Sequence, residues 1–168
     1  WQAHLSRELR QRIRCLTGDS RSVMNQWRHD GLPNIDFCFI DGGHDYWTVK
    51  HDFITALSVA NAGCGILFDD YTERKDYGVK RLIDEEVAPR LPAEAIEIID
   101  TLSRDRTASG EEVSHKMALL RGEHIGRTPL QQFYSLRDAR RFQWEYPAQR
   151  EGRRLVSGLR RAIRSLEP

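Results

Sequence analysis

Three short stretches place acids beside glycine, serine or histidine directly after apolar residues: Gly18-Asp19-Ser20, Asp41-Gly42-Gly43-His44 and Asp69-Asp70-Tyr71. Carboxylates in such positions can hold a cation, cap a helix or accept a hydrogen bond from an amino or hydroxyl group. Asp41 follows Ile35-Asp36-Phe37-Cys38-Phe39-Ile40, so its carboxylate emerges at the tip of a core strand. Gly42 and Gly43 carry no side chain, which lets a ligand approach the backbone closely. His44 lies three residues on and can exchange a proton near neutral pH. Taken alone, Asp-Gly-Gly-His reads first as a tight strand-to-helix turn, with Asp41 as a capping acid and His44 in solvent. Asp69-Asp70 changes the balance. Carboxylates brought together without Lys or Arg repel one another, and a divalent ion resolves the conflict. An all-oxygen donor set favours Mg²⁺, with Ca²⁺ or Mn²⁺ as possibilities. The alternative has Asp70 capping a helix and Asp69 paired with Arg74 or Lys75. Asp19 or Ser20 can cap the next helix, or the acid can accept from an adenine amino group.

The elements that must position these residues alternate along the chain. Leu5, Leu9 and Ile13 recur at helical spacing. Ile13 to Leu16 reads as a short strand, and a helix with Val23, Met24 and Trp27 on its apolar face follows. The turn cluster Asp30 to Asn34 leads into the strand Ile35 to Ile40, whose nearly continuous apolar run predicts cover on both faces. A helix carries Val49, Phe53, Ala56, Leu57 and Ala60, closed by Ala62-Gly63. Gly65 to Phe68 is a second buried strand. The helix with Val79, Leu82, Ile83 and Val87 ends at Pro89 and Pro92. Ala95 to Ile99 and Lys116 to Leu120 are strands joined by a polar connection with Ser109-Gly110 at its tip, so they read as an antiparallel hairpin. The alternation predicts an α/β fold: a mostly parallel sheet with helices on both faces and a closing antiparallel hairpin. Ligands of such sheets bind beyond the carboxyl ends of the strands, which is where the three acidic stretches fall.

The chain has 168 residues, 39% hydrophobic and 30% charged, with a net charge of +1. This is globular composition and carries no electrostatic case for nucleic acid. No apolar run reaches the length of a membrane helix, and no signal peptide opens the chain. Cys15, Cys38 and Cys64 are odd in number and match no zinc spacing. They read as small buried thiols in a reducing, cytoplasmic compartment.

Together these residues resemble the class I S-adenosylmethionine-dependent methyltransferases, in particular the small-molecule O-methyltransferases that use a divalent metal. Asp36 to Tyr46 is similar to that family's fourth strand and following loop, and Gly63 to Tyr71 to its fifth strand. Gly78-Val79 opening the next helix and the closing hairpin fit as well. The resemblance spans roughly residues 5 to 122 and implies a Rossmann-like methyltransferase sheet. It implies that Asp19 and Ser20 contact the adenine ring, that Asp41 and Gly42 lie against the cofactor, that Asp41, Asp69 and Asp70 hold the metal, and that His44 is the general base. Tyr46 and Trp47 are candidates for lining the cofactor or acceptor pocket. The implied reaction is methyl transfer from S-adenosylmethionine to a hydroxyl of a sugar, polyketide or catechol-like acceptor. The family's glycine-rich loop and the acid ending its second strand have no counterpart here. With a first residue that is not Met, the chain is therefore expected to be an N-terminally truncated piece that binds cofactor poorly by itself. Two rival readings are a metal-dependent hydrolase or phosphoesterase and a truncated, non-catalytic interaction module. His51, His115 and His124 do not fall at positions that would supply the hydrolase with extra ligands.

The domain reading is a partial methyltransferase domain over 1–125 and a basic helical extension over 126–168. Leu155, Leu159, Ile163 and Leu166 form an apolar stripe flanked by Arg153, Arg154, Arg160, Arg161 and Arg164, an amphipathic basic helix. It is expected to dock on its own domain or on a sister subunit of a homo-oligomer; a peripheral contact with an anionic membrane is the other possibility.

Overall fold

Local capping chemistry sets the boundaries of the elements that precede the sheet. In the computed structural model, which describes residues 6–106, 110, 112–125 and 132–141, helix α1 covers Arg7–Gln11 and α2 covers Ser20–His29. Gly31, at φ +62°, ends α2. Its N–H donates to the Arg28 carbonyl at 3.2 Å and that of Leu32 to the Trp27 carbonyl at 3.1 Å, the paired bonds of a Schellman stop. The Trp27 indole donates to the Pro33 carbonyl at 3.0 Å. The expected strand at Ile13 to Leu16 is not formed. These residues have no regular structure. Cys15 is exposed, contrary to its reading as a buried thiol.

The chain divides into two compact units, Trp1–Pro33 and Asn34–Pro168. The second holds a four-stranded sheet in the order β1-β2-β4-β3. Strand β1 (Ile35–Ile40) leads to α3 (Tyr46–Leu57) and β2 (Ala60–Tyr71). Then α4 (Val79–Leu82) runs into a π-turn at Ile83–Val87 and a 3₁₀ turn at Ala88–Arg90. The hairpin β3 (Ile96–Arg106) and β4 (Glu112–Leu120) follows, then α5 (Gly122–Ile125) and α6 (Leu136–Arg140). The sheet is mixed: β1 and β2 are parallel, with Phe37 opposite Gly65 and Ile40 opposite Phe68. β4 runs antiparallel to both β2 and β3, as the predicted closing hairpin requires.

Two boundaries depart from expectation. α3 stops at Leu57 with Ser58 as its C-cap, not at Ala62-Gly63. The Ile35 N–H donates to the Val59 carbonyl at 2.9 Å and Ile35 is paired with Ala60, so the edge of β1 recruits this segment into β2. β1 is also not covered on both faces: Ile40 is buried, while Phe37 and Phe39 stay 57% and 47% exposed.

The core lies between the sheet and helices α3 and α4. Phe53 of α3 meets Phe68 of β2 at a ring separation of 5.6 Å and Phe133 at 5.4 Å. Ile66, Val49, Leu82, Ile83 and Leu120 close around them, each large side chain stabilising the fold by about 1.5–3 kcal/mol. Lys50 is buried among these elements and pairs with Glu86 at 2.7 Å and Asp138 at 3.0 Å. Asp138 belongs to a capping box: the Ser135 hydroxyl accepts from its N–H at 3.2 Å, and its carboxylate accepts from the Ser135 N–H at 2.9 Å. Residues 132–141 are thereby fastened to α3. The arginine-flanked stripe from Leu155 to Leu166 lies outside the described residues.

Candidate functional site

Parallel pairing brings the tips of β1 and β2 together, and one irregularity in β2 decides what they present. Along β2, Cys64, Ile66 and Phe68 are buried in alternation, and strand geometry would send Asp69 and Asp70 to opposite faces. The ladder with β4 slips there: Phe68 opposes Ala118 but Tyr71 opposes Lys116, so β2 carries one extra residue. Asp70 adopts φ +57°, a left-handed conformation uncommon outside glycine. A bulge of this kind re-aims side chains. Carboxylate oxygens of Asp41, Asp69 and Asp70 consequently all lie within 4.8 Å of one another. The Asp70 N–H donates to Asp69 Oδ1 at 2.9 Å, which ties the two acids together.

Two imidazoles hold Asp70. His44 Nδ1 lies 2.7 Å from Oδ2, and His115 Nδ1 lies 2.9 Å from Oδ1. His44 is half exposed and sits just ahead of α3, whose first turn is capped by Asp45: its Oδ1 accepts from the N–H groups of Trp47 and Thr48 at 3.1 and 3.3 Å. The His44 ring stacks on Tyr77 at 4.6 Å with an interplanar angle of 24°. The Arg74 guanidinium covers the ring of Tyr77 at 4.5 Å and pairs with Asp76 at 2.7 Å. The Arg74 hydrogen bond holds the Asp76 carboxyl below its usual range.

Close packing accounts for the glycines. A side chain on Gly42 would come within 2.8 Å of the Asp52 carboxylate, and one on Gly43 within 2.7 Å of Thr48, so both positions face α3 tightly. Tyr46 and Trp47 are engaged by cations: Arg81 lies 4.4 Å over the Tyr46 ring, Arg141 lies 4.7 Å over the Trp47 ring, and Lys50 stands 5.8 Å from each. Beyond Tyr77 opens a cleft of about 320 Å³, lined by Thr72, Arg74, Lys80, Arg81 and Asp84 among others. Burial and a 2.8 Å hydrogen bond to Asp84 raise the Tyr71 hydroxyl above its ordinary value.

The donor set fits a hard divalent cation. It consists of three carboxylates from two strand ends, with hydrogen-bonded partners behind one of them, as ligating carboxylates usually have. Asp19 and Ser20 lie in the first unit, where the Asp19 carbonyl accepts from the Val23 N–H at 3.0 Å as α2 begins. His115, set aside in the sequence reading as poorly positioned, lies against Asp70 at 2.9 Å. Its signal was its inward phase on β4, two residues from buried Val113, once that strand is laid antiparallel beside β2.

Residues 1–71 match a family model described as a methyltransferase domain, so the resemblance read from the residues has an independent family match. The match takes in all three acidic stretches. The chain is also similar to an uncharacterized protein of Acanthamoeba polyphaga mimivirus, 49% identical over 45 residues, which is 26% of this chain and 20% of that protein. Among solved structures, an O-methyltransferase from Bacillus cereus in complex with SAH matches at a TM-score of 0.42 and 19% identity, over 63% of this chain and 49% of the other. TomG from Streptomyces achromogenes, an O-methyltransferase in complex with SAM, matches at 0.40 and 17%, over 62% and 47%. The chain thus spans about half the length of these structures and a fifth of the curated relative. Among the described residues, no helix is long and apolar enough to cross a membrane.

Proposed function

We propose that the whole protein transfers a methyl group from S-adenosylmethionine to a hydroxyl of a small molecule, with a divalent metal, Mg²⁺ by preference, held by Asp41, Asp69 and Asp70. The observation that carries this reading is the bulge at Asp69-Asp70, which joins two adjacent acids to Asp41 within a segment matching a methyltransferase domain. When bound, the metal lowers the pKa of an acceptor hydroxyl and orients it. S-adenosylmethionine supplies an activated sulfonium methyl, and Asp19, Ser20, Asp41 and Gly42 are the residues assigned to its contacts.

The protein's own contribution is orientation and proton handling. With Nδ1 donating to Asp70, His44 presents Nε2 as its basic nitrogen, the arrangement in which a carboxylate fixes the tautomer of a general base. Stacking on Tyr77 fixes the ring plane. The acceptor class is a sugar, polyketide or catechol-like hydroxyl. A hydrolase on the same acids gains nothing from the two histidines: both face Asp70, and the mutually close ligand atoms are those of the three aspartates.

The test is transfer of isotopically labelled methyl from S-adenosylmethionine to a panel of sugar, polyketide and catechol acceptors, with Mg²⁺ and with EDTA. Labelled ether product with Mg²⁺, lost with EDTA, is expected. Undiminished transfer in EDTA would remove the metal, and no S-adenosylmethionine binding by calorimetry would remove methyl transfer altogether.

A further inference from the structure

We infer that His115 is a positioning residue that sets the Asp70 carboxylate for cation binding; this rests on the metal reading above. Asp70 is the ligand that the backbone constrains least conventionally. It sits in a bulge, at φ +57°, where no regular strand neighbour dictates its side-chain direction. His115 supplies that direction from the neighbouring strand. It is 8% exposed, its Nδ1 meets Asp70 Oδ1 at 2.9 Å, and its ring packs edge-on to Tyr77 at 5.8 Å. His44 takes the other oxygen at 2.7 Å. The two histidines differ in kind: His44 comes from a loop and is half exposed, whereas His115 is anchored in β4 between β2 and β3. His115, buried and set in a strand paired on both sides, is therefore placed to define the carboxylate plane.

Removing a hydrogen-bonding partner from a metal ligand costs about 10- to 100-fold in metal affinity. The experiment is titration of the metal-free protein with Mn²⁺ alone, reading free Mn²⁺ by electron paramagnetic resonance, for wild type, His115→Leu and His115→Asn. Thermal melting in EDTA serves as the folding control. Asn can return an N–H donor near the place of Nδ1; Leu cannot. The expected result is roughly 10- to 100-fold weaker binding in H115L and recovery of most of that loss in H115N. If H115L fails to fold, H115F keeps a ring against Tyr77 without the donor and takes its place. Binding in H115L equal to wild type overturns the inference alone, as does an equal loss in H115N and H115L. Absence of Mn²⁺ binding in wild type overturns the metal reading and this inference with it.

Discussion

The Gly78 N–H donates to the His44 carbonyl oxygen at 2.7 Å, so the loop after β2 is bolted to the loop after β1 at the residue assigned as general base. The approach is so close that a Cβ on Gly78 would lie 2.1 Å from Tyr46 Cα and 2.2 Å from Tyr46 N. Backbone cannot yield as a flexible side chain does. Gly78→Ala is expected to destabilise by at least about 2 kcal/mol, in the range of severe overpacking. Gly31→Ala meets nothing within 4 Å and bears only the left-handed penalty, about 1 kcal/mol. Chemical denaturation of the two variants checks the difference.

Asp70→Asn should separate the fold from the site. Asn occupies the left-handed region more readily than most residues and still offers an oxygen, so the melting temperature should stay within about 2–4 °C of wild type, the shift that 1 kcal/mol produces in a chain of this size. Mn²⁺ affinity should fall by at least about tenfold. Asp41→Ala and Asp70→Ala should each abolish methyl transfer while circular dichroism shows a folded protein. Full activity in both alanine variants would remove the metal site.

His44→Ala should give a milder loss, about 10²- to 10⁴-fold for a general base, together with a changed pH dependence of kcat/KM. A profile superimposable on that of wild type would show that another group takes the proton.

The buried pairs of Lys50 give the protein an acid-sensitive joint. Burial pushes the Asp138 carboxyl up, but hydrogen bonds from Ser135 and the Lys50 ammonium outweigh it and leave it lowered from 3.8. A lowered carboxyl stabilises the fold above its unfolded value, and that stability is lost as pH falls through the folded value. Glu86 has the opposite sign. Burial, followed by the charge of Asp138, raises it from 4.5 despite the Arg90 guanidinium, so its contribution is full below 4.5 and lost as pH rises through the folded value. Melting curves between about pH 3 and 6 should show the acid loss disappear in Asp138→Asn and the decline above 4.5 disappear in Glu86→Gln. Lys50→Met leaves both acids without their ammonium and should cost about 3–5 kcal/mol.

The cysteines should react in sequence. Burial, with smaller contributions from Cys64 and Asp52, pushes the Cys38 thiol up to about 11, which leaves roughly one thiolate in a thousand at pH near 8. Cys64 is buried and likewise raised. A thiol reagent should label exposed Cys15 at once and the other two only on unfolding. Rapid labelling of Cys38 in the native state would contradict its raised thiol.

Much of this was legible from residue patterns. β1 and the core of β2 announce themselves as apolar runs ending in acids, and the helix with Val49 and Phe53 follows from its spacing. The hairpin followed from the missing helix between its strands. The convergence of Asp41, Asp69 and Asp70 could be anticipated from parallel pairing of strand tips. Its actual cause, the bulge, could not, because nothing in Asp69-Asp70-Tyr71 states which residue of a ladder goes unpaired. The boundary between α3 and β2 was misjudged because Ala60 to Gly63 has weak intrinsic preference, and pairing with Ile35 decides it. The apparent strand at Ile13 shows the converse: an apolar run alone does not make a strand.

Asp70 stands at an unusual backbone angle for a residue with a side chain, at the one point where two neighbouring acids must be turned the same way. Selection for a more comfortable main chain there would favour glycine, and selection for the acidic trio forbids it. Substitutions that make this protein sturdier are therefore easiest to find away from position 70, and a sturdier variant changed at 70 itself should be suspected of having given up its chemistry.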